Sequence, residues 1–193
     1  VGEVEYSTKE ITNKEVEATI KLSEPIEEVE GWEYIKENNI LKKTYKENAS
    51  ESIVIKDLAG NENQINVDVL NIDKTLPKIE LSKINNANTL DPKVGNKLHE
   101  IVLSIKILDD NIQKQVDLKK IDVFVGDVKS NCGKLLKNIK LQEKQLTFDL
   151  KLTDIEEEGE LKIMFNDNTC KDKAGNENKK TEINTDIKIN NTP

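Results

Sequence analysis

Side chains able to do covalent or proton-transfer chemistry are few here. His99 is the single histidine, Cys132 and Cys170 are the two cysteines, and every basic residue is a lysine. A nucleophile–base–acid arrangement needs partners that converge on its histidine. No phosphate loop, His-Glu-x-x-His pair or Gly-x-Ser-x-Gly elbow is spelled anywhere. His99 shares the parity of Ile101 and Leu103 and reads as a structural or surface residue. Two cysteines cannot complete a four-cysteine zinc site. Glu27-Glu28 and Glu156-Glu157-Glu158 have the residue types of a glycosidase pair. Consecutive acids more commonly mark a solvated turn, and no catalytic residue is expected.

Charge and hydropathy bound the remaining classes. The chain has 193 residues and a net charge of −8. Residues 1–76 hold 17 acids and 9 lysines, whereas residues 77–193 hold 20 of each. An acidic front half repels a polyanion. The lack of arginine removes the main device for bidentate contact with bases and phosphates. Nucleic acid is therefore excluded as a partner. No apolar run approaches the ~18–20 residues of a spanning helix, so no membrane insertion is expected. A chain that opens on Val1 without a basic-plus-apolar leader, and closes on Thr192-Pro193 in a linker-like stretch, reads as part of a longer protein.

The elements that position these residues follow a period of two. Val16, Ala18, Ile20 and Leu22 alternate with polar residues, as do Ile65, Val67 and Val69. Ile101 to Ile107, Leu146 to Leu152, and Leu161 to Phe165 do the same in the second half. These are half-buried strands. Turn signals separate them at Ser23-Glu24-Pro25, Ala59-Gly60-Asn61, Asp109-Asp110-Asn111 and Ala174-Gly175-Asn176. The pattern predicts strands near 3–6, 14–22, 28–34, 40–46, 51–57 and 63–71. It predicts others near 78–84, 99–108, 119–127, 134–141, 144–152, 159–166 and 178–189. Short strands at this spacing indicate all-β sandwiches.

An internal repeat divides the chain. Asp57-Leu58-Ala59-Gly60-Asn61-Glu62-Asn63 recurs as Asp172-Lys173-Ala174-Gly175-Asn176-Glu177-Asn178. In both places an alternating strand follows, then an exit of Ile-Asp/Asn, Thr and Pro. Two tandem domains are expected, 1–75 and a larger 76–193, with the boundary near Asp73–Pro77. Gly60 and Gly175, followed by Asn61 and Asn176, are expected at left-handed positions between the last two strands of each domain.

The residues Val4-Glu5-Tyr6-Ser7-Thr8, Ser23-Glu24-Pro25-Ile26, Gly31-Trp32, Leu41 to Tyr45, Asp57 to Asn61 and Asn71 to Lys74 carry a resemblance. So do Gly159-Glu160-Leu161, Asn168-Thr169, Asp172 to Asn176 and Asn191-Thr192-Pro193, although Asn190 stands where aspartate is usual. The chain resembles the bacterial immunoglobulin-like repeats of clostridial and other Gram-positive surface proteins. The resemblance implies two tandem immunoglobulin-like β-sandwiches in a non-catalytic, monomeric stalk, spacer or adhesive repeat. It implies an extracellular location, on the cell surface or secreted, and an unidentified protein or glycan ligand. The alternative is a carbohydrate- or protein-binding accessory module of a secreted enzyme.

Three site expectations follow from that strand order. Trp32, after Gly31, is expected in the core, with a sugar-stacking platform shared with Tyr34 as the alternative. Cys132 and Cys170 are expected at opposite ends of the second domain as free thiols, because a strand of five to seven residues spans about 17–23 Å and a disulfide needs Cα atoms within about 7 Å. Asp73, Asp109, Asp110, Asp167 and Asp172, with Asn111, Asn166 and Asn168, are expected on facing loops at the domain junction. Calcium takes six to eight oxygens, and this set is the candidate cofactor site. The competing reading is ordinary turn chemistry. No Lys–Asn–acid trio is singled out for an isopeptide bond.

Overall fold

Strands built on that alternation fill a computed structural model that describes residues 2–85 and 100–190. His99 and the Asn191–Pro193 exit lie outside the described residues. The chain divides into two units, Val1–Lys74 and Thr75–Pro193. Each has its own apolar core.

The first unit contains β1 (Val4–Tyr6), β2 (Val16–Lys21), β3 (Glu33–Ile35), β4 (Ile40–Tyr45), β5 (Ala49–Lys56) and β6 (Glu62–Val69). One antiparallel sheet has the order β1-β2-β4-β3, and β5 pairs with β6 as a second. Val16, Ala18 and Ile20 of β2 and Leu41 and Tyr45 of β4 meet Ile53, Ile55, Val67 and Val69 of the second sheet. Fully burying one such aliphatic side chain contributes about 1.5–3 kcal/mol, so this inner layer holds the unit together. Residues 28–32 are not the expected strand. Gly31 takes φ +78°, and the Trp32 N–H donates to the Val29 carbonyl at 3.0 Å, which closes a turn instead.

The second unit contains β7 (Lys78–Asn85), β8 (Ile101–Leu108), β9 (Ile112–Val116), β10 (Ile121–Val125) and β11 (Val128–Lys129). It continues with β12 (Gly133–Gln142), β13 (Gln145–Thr153), β14 (Gly159–Phe165), β15 (Cys170–Asp172) and β16 (Thr181–Ile189). Its two main sheets have the orders β7-β8-β13-β12 and β11-β10-β14-β16, and β9 pairs with β15. Ile101, Leu103, Ile105 and Ile107 of β8 and Phe148 and Leu150 of β13 pack against Val123 of β10 and Ile163 and Phe165 of β14. Both units are therefore all-β and β-sandwich-like. The edge strand β12 shifts register between Lys137 and Lys140, and Asn138 there has φ +54°. A bulge and lysines on an edge discourage unwanted pairing with other strands.

Candidate functional site

The repeated heptapeptide makes the same turn twice. Asp57 Oδ1 accepts the Ala59 and Asn61 N–H groups at 2.9 and 2.8 Å, and its Oδ2 accepts Asn61 Nδ2 at 2.7 Å. Asp172 Oδ1 accepts the Asn176 N–H at 2.8 Å, and its Oδ2 accepts Asn176 Nδ2 at 2.8 Å. Gly60 and Gly175 follow with φ +94° and +97°. Each turn leans on an isoleucine: Ile26 bridges Asp57, and Ile112 pairs with Asp172. Hydrogen bonds from the Asn61 side chain and then its N–H hold the Asp57 carboxyl below the usual aspartate range. The two aspartates, absent from the expected turn set of Gly60, Asn61, Gly175 and Asn176, are the hubs. Their signal was in the repeat itself, which begins on aspartate both times.

The expected oxygen ligands have identifiable partners within each unit. In the first unit the Asp73 N–H donates to the Thr12 carbonyl at 2.8 Å. In the second, Asp110 forms an exposed ion pair with Lys144 at 3.1 Å. Asp167 Oδ1 accepts the Lys180 N–H at 2.7 Å, and Asn166 Nδ2 donates to Asp122 at 3.0 Å. Asp109 and Asp172 alone come together within that unit. They are 6% and 0% exposed, with carboxylate oxygens within 4.8 Å. Asp109 Oδ1 accepts the Asn111 N–H at 2.8 Å. By sheet register Asp109 stands where the first unit has Leu22: their N–H groups donate to Lys144 and Asn39 carbonyls at the same strand end.

Cys170 lies on β15 beside this pair, and Cys132 lies just before β12; both are buried free thiols. Burial, and next the Asp109 charge, push the Cys170 thiol up to about 12. Burial raises Cys132 as well. Both thiols are therefore poor nucleophiles at neutral pH.

A polar cluster that the expectations did not include sits between the sheets of the first unit. Lys43 Nζ donates to Glu51 Oε1 at 2.7 Å, and the Tyr45 hydroxyl donates to the same oxygen. Trp32 is 8% exposed and stacks edge-on against Tyr45 at 6.4 Å. Lys43 Nζ lies 5.9 Å from the Trp32 ring and 5.1 Å from the Tyr45 ring. The Trp32 Nε1 is buried without a hydrogen bond of ordinary length, and Glu51 lies near enough to feel its N–H dipole. Burial pushes the Glu51 carboxyl up, yet hydrogen bonds from Lys43 and Tyr45 together outweigh it and hold the group low. Burial, and then the bond to Glu51, raise the Tyr45 hydroxyl. Strand parity could have found this cluster, since Lys43 falls in step with Leu41 and Tyr45, and Glu51 with Ile53 and Ile55. With its ring inside, Trp32 offers no flat platform for a sugar.

A polar groove of about 250 Å³ lies on a sheet face of the second unit, lined by Ser82, Ser104, Asn138, Lys140, Thr147 and Asp149. Asp149 is its fixed centre. It accepts the Ser104 hydroxyl and the Asn138 Nδ2, each at 2.8 Å. The β12 bulge brings Asn138 to this position. No protein-family model and no curated protein matches this sequence.

Proposed function

We propose that the chain is a pair of immunoglobulin-like modules serving as a non-catalytic spacer or adhesive repeat in a larger extracellular bacterial surface protein. The observation that carries this reading is repetition. One hydrogen-bonded turn, with the same aspartate hub and the same left-handed glycine, occurs in two units that each bury a core of their own. Strand order supports the immunoglobulin-like part. Lettered in chain order, the sheets of the second unit read A-B-E-D and C′-C-F-G. Those of the first read A-B-E-D and F-G, with strand C reduced to the Ile26–Asp57 bridge. Among the described residues no helix is long and apolar enough to cross a membrane. An antibody raised against the chain should label intact producing cells or their medium. Signal confined to lysed cells overturns the location.

The second reading, a glycan-binding accessory module, is favoured by one feature: the groove around Asp149, whose hydroxyl, amide, amine and carboxylate groups suit a polyol. A glycan array decides between them. A spacer binds nothing, whereas an accessory module binds a defined glycan and loses it with Asp149→Ala. Calcium at the expected acids stays a proposal, and Asp109 and Asp172 are the pair that one unit brings together by itself. Two carboxylates supply at most four of the six to eight oxygens the ion takes. A calcium-dependent rise in that unit's melting temperature, lost with Asp109→Asn, is its test, and equal melting in calcium and chelator removes it.

A further inference from the structure

At the turn end of the first unit a cleft of about 220 Å³ is floored by Leu22, Ile26 and Ile55 and rimmed by the acids Glu24, Asp57 and Glu62. An apolar cavity of about 150 Å³ already holds a benzene-sized group, so one aliphatic side chain fits here. No lysine lines it, and the unit around it carries the chain's whole negative excess. The repeat adds an independent comparison. The two turns share their hydrogen bonds and their isoleucine neighbour. Yet Asp172, Asn176 and Asn178 are buried, whereas Asn61 and Asn63, the counterparts of the two asparagines, are exposed. A surface that is buried in one repeat is left open in the other.

The chemistry that complements this cleft is an extended segment presenting one aliphatic side chain between cations. The chain contains such a segment in Lys74-Thr75-Leu76-Pro77-Lys78, where Leu76 is 43% exposed, Lys74 and Lys78 are exposed, Pro77 is buried, and Lys78 opens β7 with a surface ion pair to Glu80 at 3.0 Å. Pro77 biases Leu76 toward extended backbone, so little conformational freedom is lost when it docks. We propose that the cleft of the first unit binds the Lys74–Lys78 segment of a second copy of this chain. Leu76 enters over Ile26 and Ile55, and the two lysines face Glu24, Asp57 and Glu62. A contact between two different surfaces joins copies head to tail, as rings where the rotation closes and as open chains where it does not. The inference rests on the modular reading of the chain, and not on where the protein resides.

The test titrates the isotope-labelled full chain with a synthetic peptide of residues 71–79. Amide shifts should appear at Leu22, Ile26, Asn61 and Asn63 and nowhere in the second unit. Raised salt should weaken binding. Glu24→Lys combined with Glu62→Lys should weaken it about tenfold, the equivalent of 1.4 kcal/mol. A Leu76→Asp peptide should lose it to at least the same extent. Both glutamates are exposed, and unchanged melting of the double variant confirms that its fold is intact. Sedimentation of the unmodified chain should show association that grows with concentration and disappears in the double variant. Absence of shifts at the cleft overturns the proposal, as does binding indifferent to the charge reversals. A chain that stays monomeric while the peptide binds overturns the second copy as occupant. If the peptide fails but proteolysis yields two folded halves, the cleft proposal falls and the modular reading stands.

Discussion

Glu51 shows how a single inward carboxylate can tie two sheets together. It receives Lys43 and Tyr45 from β4 while itself standing on β5, and its side chain is 32% exposed. Its folded-state carboxyl is lowered, so its contribution is full above the ordinary value of 4.5 and is lost as pH falls through the folded value. Tyr45 has the opposite sign. Its hydroxyl is raised above the ordinary 10.0, so its contribution is full below that value and is lost as pH climbs through the folded one. Glu51→Gln should therefore flatten the acid limb of the first unit's stability profile and cost about 1–3 kcal/mol at neutral pH. Tyr45→Phe should flatten the alkaline limb. Denaturant unfolding followed by Trp32 fluorescence from acid to alkaline pH checks both. The turn glycines make a second residue-scale prediction. With φ near +95° at both, Gly60→Val and Gly175→Val should each destabilise their own unit by about 1–2 kcal/mol. Calorimetry should show one transition shifted and the other unmoved.

At the level of elements, the short pair β9–β15 determines the fate of a thiol. Ile112 pairs with Asp172 across this ladder, and Cys170 opens β15 inside the core. Its neighbours are the Asn178 Oδ1, 3.5 Å from Sγ, and the buried acid Asp109. A thiol raised to about 12 is almost wholly protonated at pH 8, and the thiolate is the reactive form. Native chain should react with a maleimide at neither Cys132 nor Cys170 within the time that labels a free peptide thiol completely. Denatured chain should take up both equivalents. Fast labelling of Cys170 in the native state would show that β15 opens readily.

For the whole molecule the prediction concerns independence. Two units with separate cores, joined near Lys74 and Thr75, should behave as two cooperative systems. Limited trypsin digestion should cut at Lys74 and leave two fragments that each retain strand circular dichroism and melt on their own. A single transition for the intact chain, with resistance at Lys74, would make it one system. The same experiment separates this level from the one below it. Tyr45→Phe should move only the first transition, whereas loss of the Asp172 hub should move only the second.

Period-two alternation located the long strands, because a residue's side of a sheet depends only on parity, but it missed the short β9, β11 and β15 and placed a strand over residues 28–32 where the chain turns. It set the inward faces of β2, β8, β13 and β14. The repeat likewise marked the two turns, because glycine, asparagine and aspartate each have a specific job in a left-handed turn. The sequence alone could not say that Lys43 and Glu51 meet, although parity puts both inside, because their pairing depends on how one sheet lies over the other. Nor could it separate Asp109 and Asp172 from Asp110 and Asp167, the other two candidate acids of the second unit. Asp110 and Asp167 are claimed by Lys144 and by the Lys180 N–H, contacts between segments 13 or more residues apart. Trp32 went inward because Gly31 turned the chain where an extended strand was expected. Local pattern fixes which face a side chain takes; only the packing of sheets and loops decides what it meets there.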